Sequence, residues 1–318
     1  MKRRTFLKAL ASTSAGYFFT NLQCSNHQKP NIIMIQVDDL GWTDLGCYGS
    51  DLYKTPNIDR MAAQGIKFTN AYAACTVCSP TRASMMTGKY PARLNVTDWI
   101  RGLRYPYAKL LPPNWTMHLP LDEVTIAEAL QPAGYECAHI GKWHLGTEPF
   151  YPNHQGFDQN TGGTHRGAPP SYFSPYNIQT LKNGPTGEYL TDREGEEACR
   201  FIENHQRGSF FLNLAHYAVH IPLQAKETRI EKYSDIVKST LRHQNATYAA
   251  MIESVDQSLG MIIKKVRDLG IEHNTSIFFT SDNGGLTDRP WLEEPGFVTC
   301  NSPLRAGKGS AYEGGVRV

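Results

Sequence analysis

Four short apolar segments, each ending abruptly in charged or imidazole side chains, constrain the fold more than any other feature of this sequence. They are Asn31–Val37, YECAHIG at 135–141, SFFLNLAHYAVH at 209–220 and SIFFTS at 276–281. Continuous runs of β-branched and aromatic residues are typical of strands that are buried on both faces, as in a parallel sheet. The polar residues that follow each run would then lie just beyond a strand end.

Helical patterns separate these segments. The clearest extends from Tyr248 to Leu269, where apolar residues recur every three or four positions and Gly270 is placed to end the helix. Shorter patterns occupy 124–134 and 191–205. This alternation predicts an α/β fold with a mostly parallel central sheet and helices on both faces. In such sheets, functional side chains collect at the carboxyl ends of the strands.

Composition excludes several classes of protein. The 318 residues carry a net charge of only +2, from 32 basic and 30 acidic side chains. This balance argues against a nucleic-acid-binding surface, and the length suits one large α/β domain or two small ones. The seven cysteines form no compact disulfide framework, and the C-x-x-C pair of Cys75 and Cys78 lacks the second pair that a zinc site needs.

The first 26 residues have the pattern of an export signal. Arg3 and Arg4 precede a short apolar stretch, 9–19, that is too short to span a bilayer. The arginine pair indicates the twin-arginine route, so we expect a periplasmic or extracellular protein without a transmembrane span. An amphipathic first helix is the less favoured alternative. Lipid anchoring at Cys24 stays open, although the residues before it make a poor lipobox.

Acidic side chains follow two of the predicted strands. Asp38 and Asp39 come after the first, and Asp282 and Asn283 come after the last. Each pair alone would be interpreted as a turn or a helix cap. Together, at adjacent strand ends, they would cluster three carboxylates and one amide oxygen, which repel unless a cation lies among them. Oxygen ligands favour a hard ion, so we predict a site for Ca²⁺ or Mg²⁺ and not for zinc.

Basic and imidazole side chains could surround that centre. The candidates are Arg82, Lys142, His144, His220 and Lys308. Each alone would be interpreted as a solvated lysine or a structural histidine, but together with a metal ion they would form an anion-binding site. If Lys142 and His144 lay at a strand end, their side chains would point the same way.

Cys78 begins a short helical pattern that has a proline in its first turn, and Arg82 follows one helical turn later. A helix N-terminus favours negative charge on the cysteine side chain. A tyrosine-phosphatase loop would place the arginine two positions further along, so the spacing disfavours a thiolate phosphatase.

The stretch CSPTRASMMTGK, which begins at Cys78, resembles the modification signature of the type I, formylglycine-dependent sulfatases. These arylsulfatase A-like enzymes belong to the alkaline-phosphatase superfamily. Further segments match in the family's order from about residue 30 to the last residue: IQVDDLGWTDLGCYG, AHIGKWHLG, AVHIPL, FTSDNGG and PLRAGKGSAYEGGVRV. The resemblance implies the fold predicted above and a sulfatase activity.

The resemblance also implies roles for individual residues. The divalent ion would be Ca²⁺, with Mg²⁺ less favoured. Those that would hold it are Asp38, Asp39, Asp282, Asn283 and the modified Cys78. A maturation enzyme would convert Cys78 to formylglycine, whose hydrate would be the nucleophile, and Arg82 would stabilise that hydrate. Those that would bind sulfate and move protons are Lys142, His144, His220 and Lys308. Among these, His144 would deprotonate the hydrate, and His220 or Lys308 would protonate the leaving alcohol.

The implied reaction is hydrolysis of sulfate esters, on sulfated carbohydrates or aryl sulfates. Two alternatives stay open: a phosphatase or phosphodiesterase on the same fold, which would normally carry a serine or threonine nucleophile, and an inactive protein that binds sulfated glycans. Four aromatic residues are candidates for stacking on sugar rings, although packing is the commoner role: Trp99, Trp143, Tyr172 and Phe173.

The resembled family continues beyond the last residue of this chain and adds a smaller C-terminal α/β subdomain. We therefore expect residues 27–318 to form an incomplete catalytic domain, with uncovered apolar faces and an open strand edge. Such a chain should express poorly and show little turnover. Lys308 lies ten residues before Val318, so we expect weak order around it.

Overall fold

The computed structural model describes residues 29–102, 109–287 and 298–318. The predicted export signal and Cys24 lie outside these ranges. Five strands form one sheet in which every neighbouring pair is parallel, in the order β3-β2-β4-β1-β5. The strands are β1 (Asn31–Val37), β2 (Tyr135–Gly141), β3 (Gln159–Thr161), β4 (Ser209–His216) and β5 (Thr275–Ser281). The four predicted strands are confirmed, and the short strand β3 is additional.

Helices occupy the connections. They are α1 (Pro56–Gln64), α2 (Cys78–Thr87), α3 (Pro91–Leu94), α4 (Ile126–Leu130), α5 (Leu190–His205), α6 (Glu227–Ser234), α7 (Ala246–Asp268) and α8 (Glu313–Val316). Helices α5 and α7 match the sequence patterns. Helix α4 is shorter than the predicted 124–134, because Thr125 caps it through a capping box with Glu128 and the chain then tightens into a 3-10 turn.

Helices cover both faces of the sheet, as the alternation along β1 shows. Ile33 and Ile35 pack into a core with α5 and α7, whereas Ile32 and Met34 point to the opposite core with α2 and α4. A strand with apolar side chains on both faces must be sandwiched between helices. The predicted fold class is therefore confirmed.

The strand register places the functional segments at one edge of the sheet. Val37, the last residue of β1, pairs with His216 on β4 and with Ser281 on β5. Gly141 at the end of β2 pairs with Ala215. The four predicted strands therefore end side by side, and the loops that follow them meet above the same edge.

Strand β5 forms one outer edge of this sheet. Phe278 on this strand is 55% exposed, and the nearby Ile66 and Phe68 are also exposed. Within the three described ranges, all six cysteines are free, and no helix is both long and apolar enough to cross a bilayer. The outer edge of β5 has no neighbouring strand among the described residues, and apolar side chains are exposed beside it.

Candidate active site

The acidic cluster predicted at the ends of β1 and β5 is present. The amide N–H of Asp39 donates to Oδ1 of Asp282 at 3.2 Å, and Nδ2 of Asn283 donates to Oδ1 of Asp39 at 2.8 Å. These residues and Asp38 are all fully buried. Asp39 has a φ of 62°, a left-handed conformation that is uncommon outside glycine and often marks a functional site.

Each carboxylate of the cluster already has a cationic partner. The pairs are Lys142 with Asp38, Arg82 with Asp282 and Lys308 with Asp39. Nε of Arg82 donates to Oδ2 of Asp282 at 2.9 Å, and Nζ of Lys308 lies 2.7 Å from Asp39. The repulsion among three carboxylates, expected from the sequence, is therefore offset by three side-chain cations.

Two features of the cluster nevertheless fit a divalent ion. Oδ1 of Asp38 and Oδ1 of Asn283 are buried and have no hydrogen-bond partner among the described residues. Burial, and then repulsion by Asp282, raises the pKa of Asp38 well above its usual value despite the charge of Lys142. Unpaired buried oxygens are costly, and a hard cation would satisfy them. The donor set thus suits Ca²⁺ or Mg²⁺.

Cys78 is the first residue of α2 and is buried. Its Sγ lies 3.2 Å from Nδ1 of His144. Burial raises the pKa of the Cys78 thiol, and the charges of Lys142 and Lys308 do not overcome this effect. Burial therefore opposes the negative charge that the helix N-terminus favours at this position. An unmodified Cys78 would be a protonated thiol and a poor nucleophile.

His144 reaches Cys78 from a loop and not from a strand. Strand β2 ends at Gly141, and His144 has a φ of 60°. Its amide N–H donates to the carbonyl of Thr164 at 2.9 Å. The side chains of Lys142 and His144 do converge on one site, but His144 lies beyond the strand in a left-handed conformation, so the strand alternation expected from the sequence does not direct both of them.

The surroundings of His144 determine its charge and which ring nitrogen carries the hydrogen. Burial, and then the charge of Lys142, lowers the pKa of His144 well below its usual value, so the ring is neutral at neutral pH. Its Nε2 lies 3.3 Å from the carbonyl oxygen of Ile100. A carbonyl only accepts, so Nε2 carries the hydrogen and Nδ1 offers a lone pair to Cys78. The ring is therefore arranged to accept a proton at Nδ1.

His220 and Lys308 form another part of the site. Burial, and then the charge of Lys308, lowers the pKa of His220 to about 3. Nδ1 of His220 lies 2.8 Å from the carbonyl of Ile221, whereas Nε2 lies 3.6 Å from Oδ2 of Asp39. Although burial opposes it, Asp39 raises the pKa of Lys308. Of the two residues, Lys308 is thus the protonated one at neutral pH.

The segment around Lys308 is tied to the rest of the domain. The N–H of Lys308 donates to Gly285 O at 3.0 Å, and the N–H of Gly309 donates to Thr76 O at 2.9 Å. Tyr72 and Arg317 form an antiparallel bridge. The last ten residues are therefore held by hydrogen bonds to the segment before α2, and the weak order expected near this end of the chain stays a prediction.

A cavity of about 600 Å³ opens above Cys78. His144, His220 and Lys308 line it, whereas Arg82 and Lys142 are buried beneath it. Four further lining residues come from two loops: Trp99, Arg101, His165 and Arg166. Only Trp99 among these was a sequence candidate. The others occur in no motif, so nothing in the sequence points to them.

The aromatic candidates for sugar stacking divide into two groups. Trp143 and Tyr172 are fully buried, so they have the packing role that the sequence favoured and are not available to stack on a sugar. Phe173 is half-buried and packs on Tyr189, with ring centroids 5.1 Å apart. Trp99 alone lines the cavity with part of its ring exposed.

A second constellation resembles a hydrolase triad but lies in the core. Oγ of Ser258 is 3.1 Å from Nε2 of His216, and Nδ1 of His216 is 2.6 Å from Oε2 of Glu194. All three residues are buried, and none of them lines the cavity. This network links α7, β4 and α5, so its role is structural.

The sequence is similar to those of known sulfatases. The sulfatase family model matches residues 30–318. N-acetylgalactosamine-6-sulfatase of Homo sapiens is 35% identical over 313 residues, which cover 91% of this chain and 56% of that protein. Arylsulfatase A of Homo sapiens is 33% identical over 319 residues, which cover 91% of this chain and 58% of that protein. The chain thus spans little more than half the length of these curated relatives.

A solved structure is similar over the same region. Ps i-CgsB in complex with k-i-k-neocarrahexaose has a TM-score of 0.74 and 33% sequence identity, and the match covers 91% of this chain and 64% of that one. The family model spans nearly all described residues. The chain therefore belongs to the sulfatase family.

Proposed function

We propose that this chain hydrolyses sulfate esters, with sulfated carbohydrates as the substrate class. The observation that carries the proposal is the 3.2 Å approach of Cys78 Sγ to Nδ1 of His144 beneath an open cavity. Membership of the sulfatase family supports it, as does similarity to N-acetylgalactosamine-6-sulfatase and to a protein whose structure was solved in complex with k-i-k-neocarrahexaose.

Cys78 would be converted to formylglycine by a formylglycine-generating maturation enzyme. The aldehyde hydrate would supply one hydroxyl to attack sulfur and a second whose deprotonation expels sulfate. Nδ1 of His144 is placed to take that second proton, because its lone pair already faces the Cys78 side chain. A protonated thiol at this position supplies neither hydroxyl, which explains why the chemistry needs the modification.

The residues around Cys78 would hold the substrate's sulfate group. Lys308 is protonated, lines the cavity and would both bind sulfate and donate a proton to the leaving alcohol. His220 is neutral and bonds a carbonyl through Nδ1, so we assign it to sulfate binding. Arg82 and Lys142 lie below and would stabilise the modified Cys78 from beneath.

The divalent ion would be held by the acidic cluster: Asp38, Asp39, Asp282 and Asn283. Ca²⁺ is favoured over Mg²⁺ because it accepts more oxygen ligands in irregular geometry. When bound, it would stabilise the negative charge that develops on the sulfate oxygens. Two of its ligand oxygens, on Asp38 and Asn283, lack a hydrogen-bond partner in the described parts of the chain.

We also propose that the protein is exported, because Arg3 and Arg4 precede a short apolar stretch. An extracytoplasmic location suits polymeric sulfated glycans, which do not enter the cytoplasm intact. Lysine substitution of both arginines should keep the precursor in the cytoplasm. Normal export of that variant would point to a different route.

The test of the proposed function combines mass spectrometry with a variant. The chain, co-expressed with a maturation enzyme, should yield a peptide around Cys78 that is lighter by about 18 Da, as expected for replacement of the thiol by an aldehyde. The converted protein should release the alcohol from a chromogenic aryl sulfate, and Cys78→Ala should not. Equal rates for parent and Cys78→Ala, at equal melting temperature, would refute the assignment of the nucleophile.

A further inference from the structure

Two loops of the cavity wall carry cations that the proposed chemistry does not use. The first loop includes Arg101. The amide N–H of Ile100 donates to Oγ of Ser79 at 3.0 Å, and its carbonyl oxygen lies 3.3 Å from Nε2 of His144. Arg101 is therefore the next residue after Ile100, which contacts His144, the proposed proton acceptor.

The second loop places Arg166 in an equivalent position. The carbonyl of Thr164 accepts from the N–H of His144 at 2.9 Å, and Gly167 lies so close to that ring that a Cβ would be 2.6 Å from Cε1. The N–H of Arg166 donates to Oγ1 of Thr164 at 3.2 Å. Both arginines thus lie on loops that contact His144, and His144 contacts Cys78.

The charges of this wall are uncompensated within the described residues. Both arginines are exposed, and neither guanidinium has an ion-pair partner there. No aspartate or glutamate belongs to the described lining of the cavity. The acids below are paired with Arg82, Lys142 and Lys308. The wall therefore presents free positive charge to whatever enters.

His165 lines the same cavity wall as the two arginines. The hydroxyl of Tyr151 lies 3.3 Å from its Nδ1 and fixes the ring. Burial, and then the charges of Arg101 and Arg166, lowers the pKa of His165. Arg101 has a φ of 74°, and an arginine retains such a conformation only where its surroundings impose it.

We propose that Arg101 and Arg166, together with His165 on the same cavity wall, form a second anion-binding subsite. Preferred substrates would then carry a second anionic group close to the sulfate ester. That group is a sulfate or a carboxylate, on the same sugar or on its neighbour. Planar guanidinium groups bind both oxyanions in bidentate geometry. Trp99 on the same wall offers a ring for the face of that sugar. The inference rests on the proposed function.

The subsite can be tested by binding without turnover. A Cys78→Ala background is titrated calorimetrically with three probes: a monosulfated hexose, the same hexose with a second sulfate, and a sulfated disaccharide that contains a hexuronate. The background is combined with Arg101→Gln, Arg166→Gln or both. Arg93→Gln is the matched control, because Arg93 is an exposed arginine on α3 that does not line the cavity.

The Cys78→Ala protein should bind at least one dianionic probe about tenfold more tightly than the monosulfated hexose, because two charge-assisted contacts are added. This preference should weaken at high ionic strength, since the arginines are exposed. Each single arginine substitution should reduce the preference and the double substitution should remove it, whereas Arg93→Gln should retain it. The probe that gains identifies sulfate or carboxylate as the second group.

Two results would overturn the subsite: equal affinity for monoanionic and dianionic probes, or a preference that survives both arginine substitutions. Hydrolysis of the monosulfated hexose by the matured parent is measured in parallel. Failure of that hydrolysis counts against the proposed function and leaves the binding result intact. A parent that hydrolyses sulfate esters but shows no preference would disprove the subsite alone.

Discussion

Gly167→Ala should displace His144 and lower the rate of catalysis while costing the fold little stability. A Cβ at this position would lie 2.6 Å from Cε1 and 2.8 Å from Nε2 of His144. Ordinary contact begins at 3.4 Å, so the ring or the loop must move by 3.4 − 2.6 = 0.8 Å. Gly167 is not among the glycines with positive φ, so the substitution acts through this contact and not through backbone strain.

A displacement of this size should be costly for catalysis. A shift of about 1 Å in a reacting group can lower the rate about 10²-fold. The cost in stability should lie near the lower end of the roughly 1–3 kcal/mol typical of overpacking, because Gly167 is only half-buried. We therefore expect kcat to fall far more than the melting temperature, with a smaller change in KM.

The assay measures initial rates on a chromogenic aryl sulfate, with conversion of Cys78 quantified by mass spectrometry in each preparation. Gly208→Ala is the matched control, because a Cβ there would meet no atom within 4 Å and its φ is not positive. The reasoning is refuted if Gly167→Ala retains kcat within about threefold of the parent at equal conversion. An equal loss in Gly208→Ala would also refute it.

Three further predictions follow from buried charges. Chelation should abolish activity and lower the melting temperature, with recovery on addition of Ca²⁺, because two buried oxygens lose the cation that they would coordinate; an unchanged melting curve and rate would show that the protein needs no such ion. Lys142→Met should cost about 3–5 kcal/mol in urea unfolding, because Asp38 would keep only the more distant Arg82 as a cationic partner, and the double variant with Asp38→Asn should recover part of it; strictly additive costs would contradict the pairing. Burial opposes protonation of His243, but Asp44 and Asp51 raise its pKa, so its stabilisation is complete below about pH 6.5 and is lost as the pH rises through the folded-state pKa. His243→Gln should therefore cost more at about pH 6 than at about pH 9, and a pH-independent cost would show that no proton is involved.

The strands could be predicted because central parallel strands leave a strong signal. Strand β1 begins and ends where its apolar run does, and β5 begins one residue before the predicted run. The edge strand β3 was missed because Gln159–Thr161 is only three residues long and polar. Its existence depends on pairing with β2, which the local sequence does not encode.

The site was predictable where it follows strand ends and unpredictable where it depends on loops. The sequence brings Asp38 and Asp282 together, because their strands end in register. It does not reveal that each carboxylate meets its own cation, since Arg82 and Lys308 come from distant segments. Nor does it reveal Arg101, whose position depends on contacts of a loop with α2 and His144.

The charges of the site are arranged in two layers, and this arrangement bears on how an anion is attracted. In the lower layer, three carboxylates and three cations are paired, so their fields largely cancel. A divalent ion at the unpaired oxygens of Asp38 and Asn283 would add two positive charges there. In the upper layer, Arg101 and Arg166 have no acidic partner among the described residues. Attraction over distance must therefore come from the ion and the upper layer, and only the upper layer is exposed enough to be strongly screened by salt.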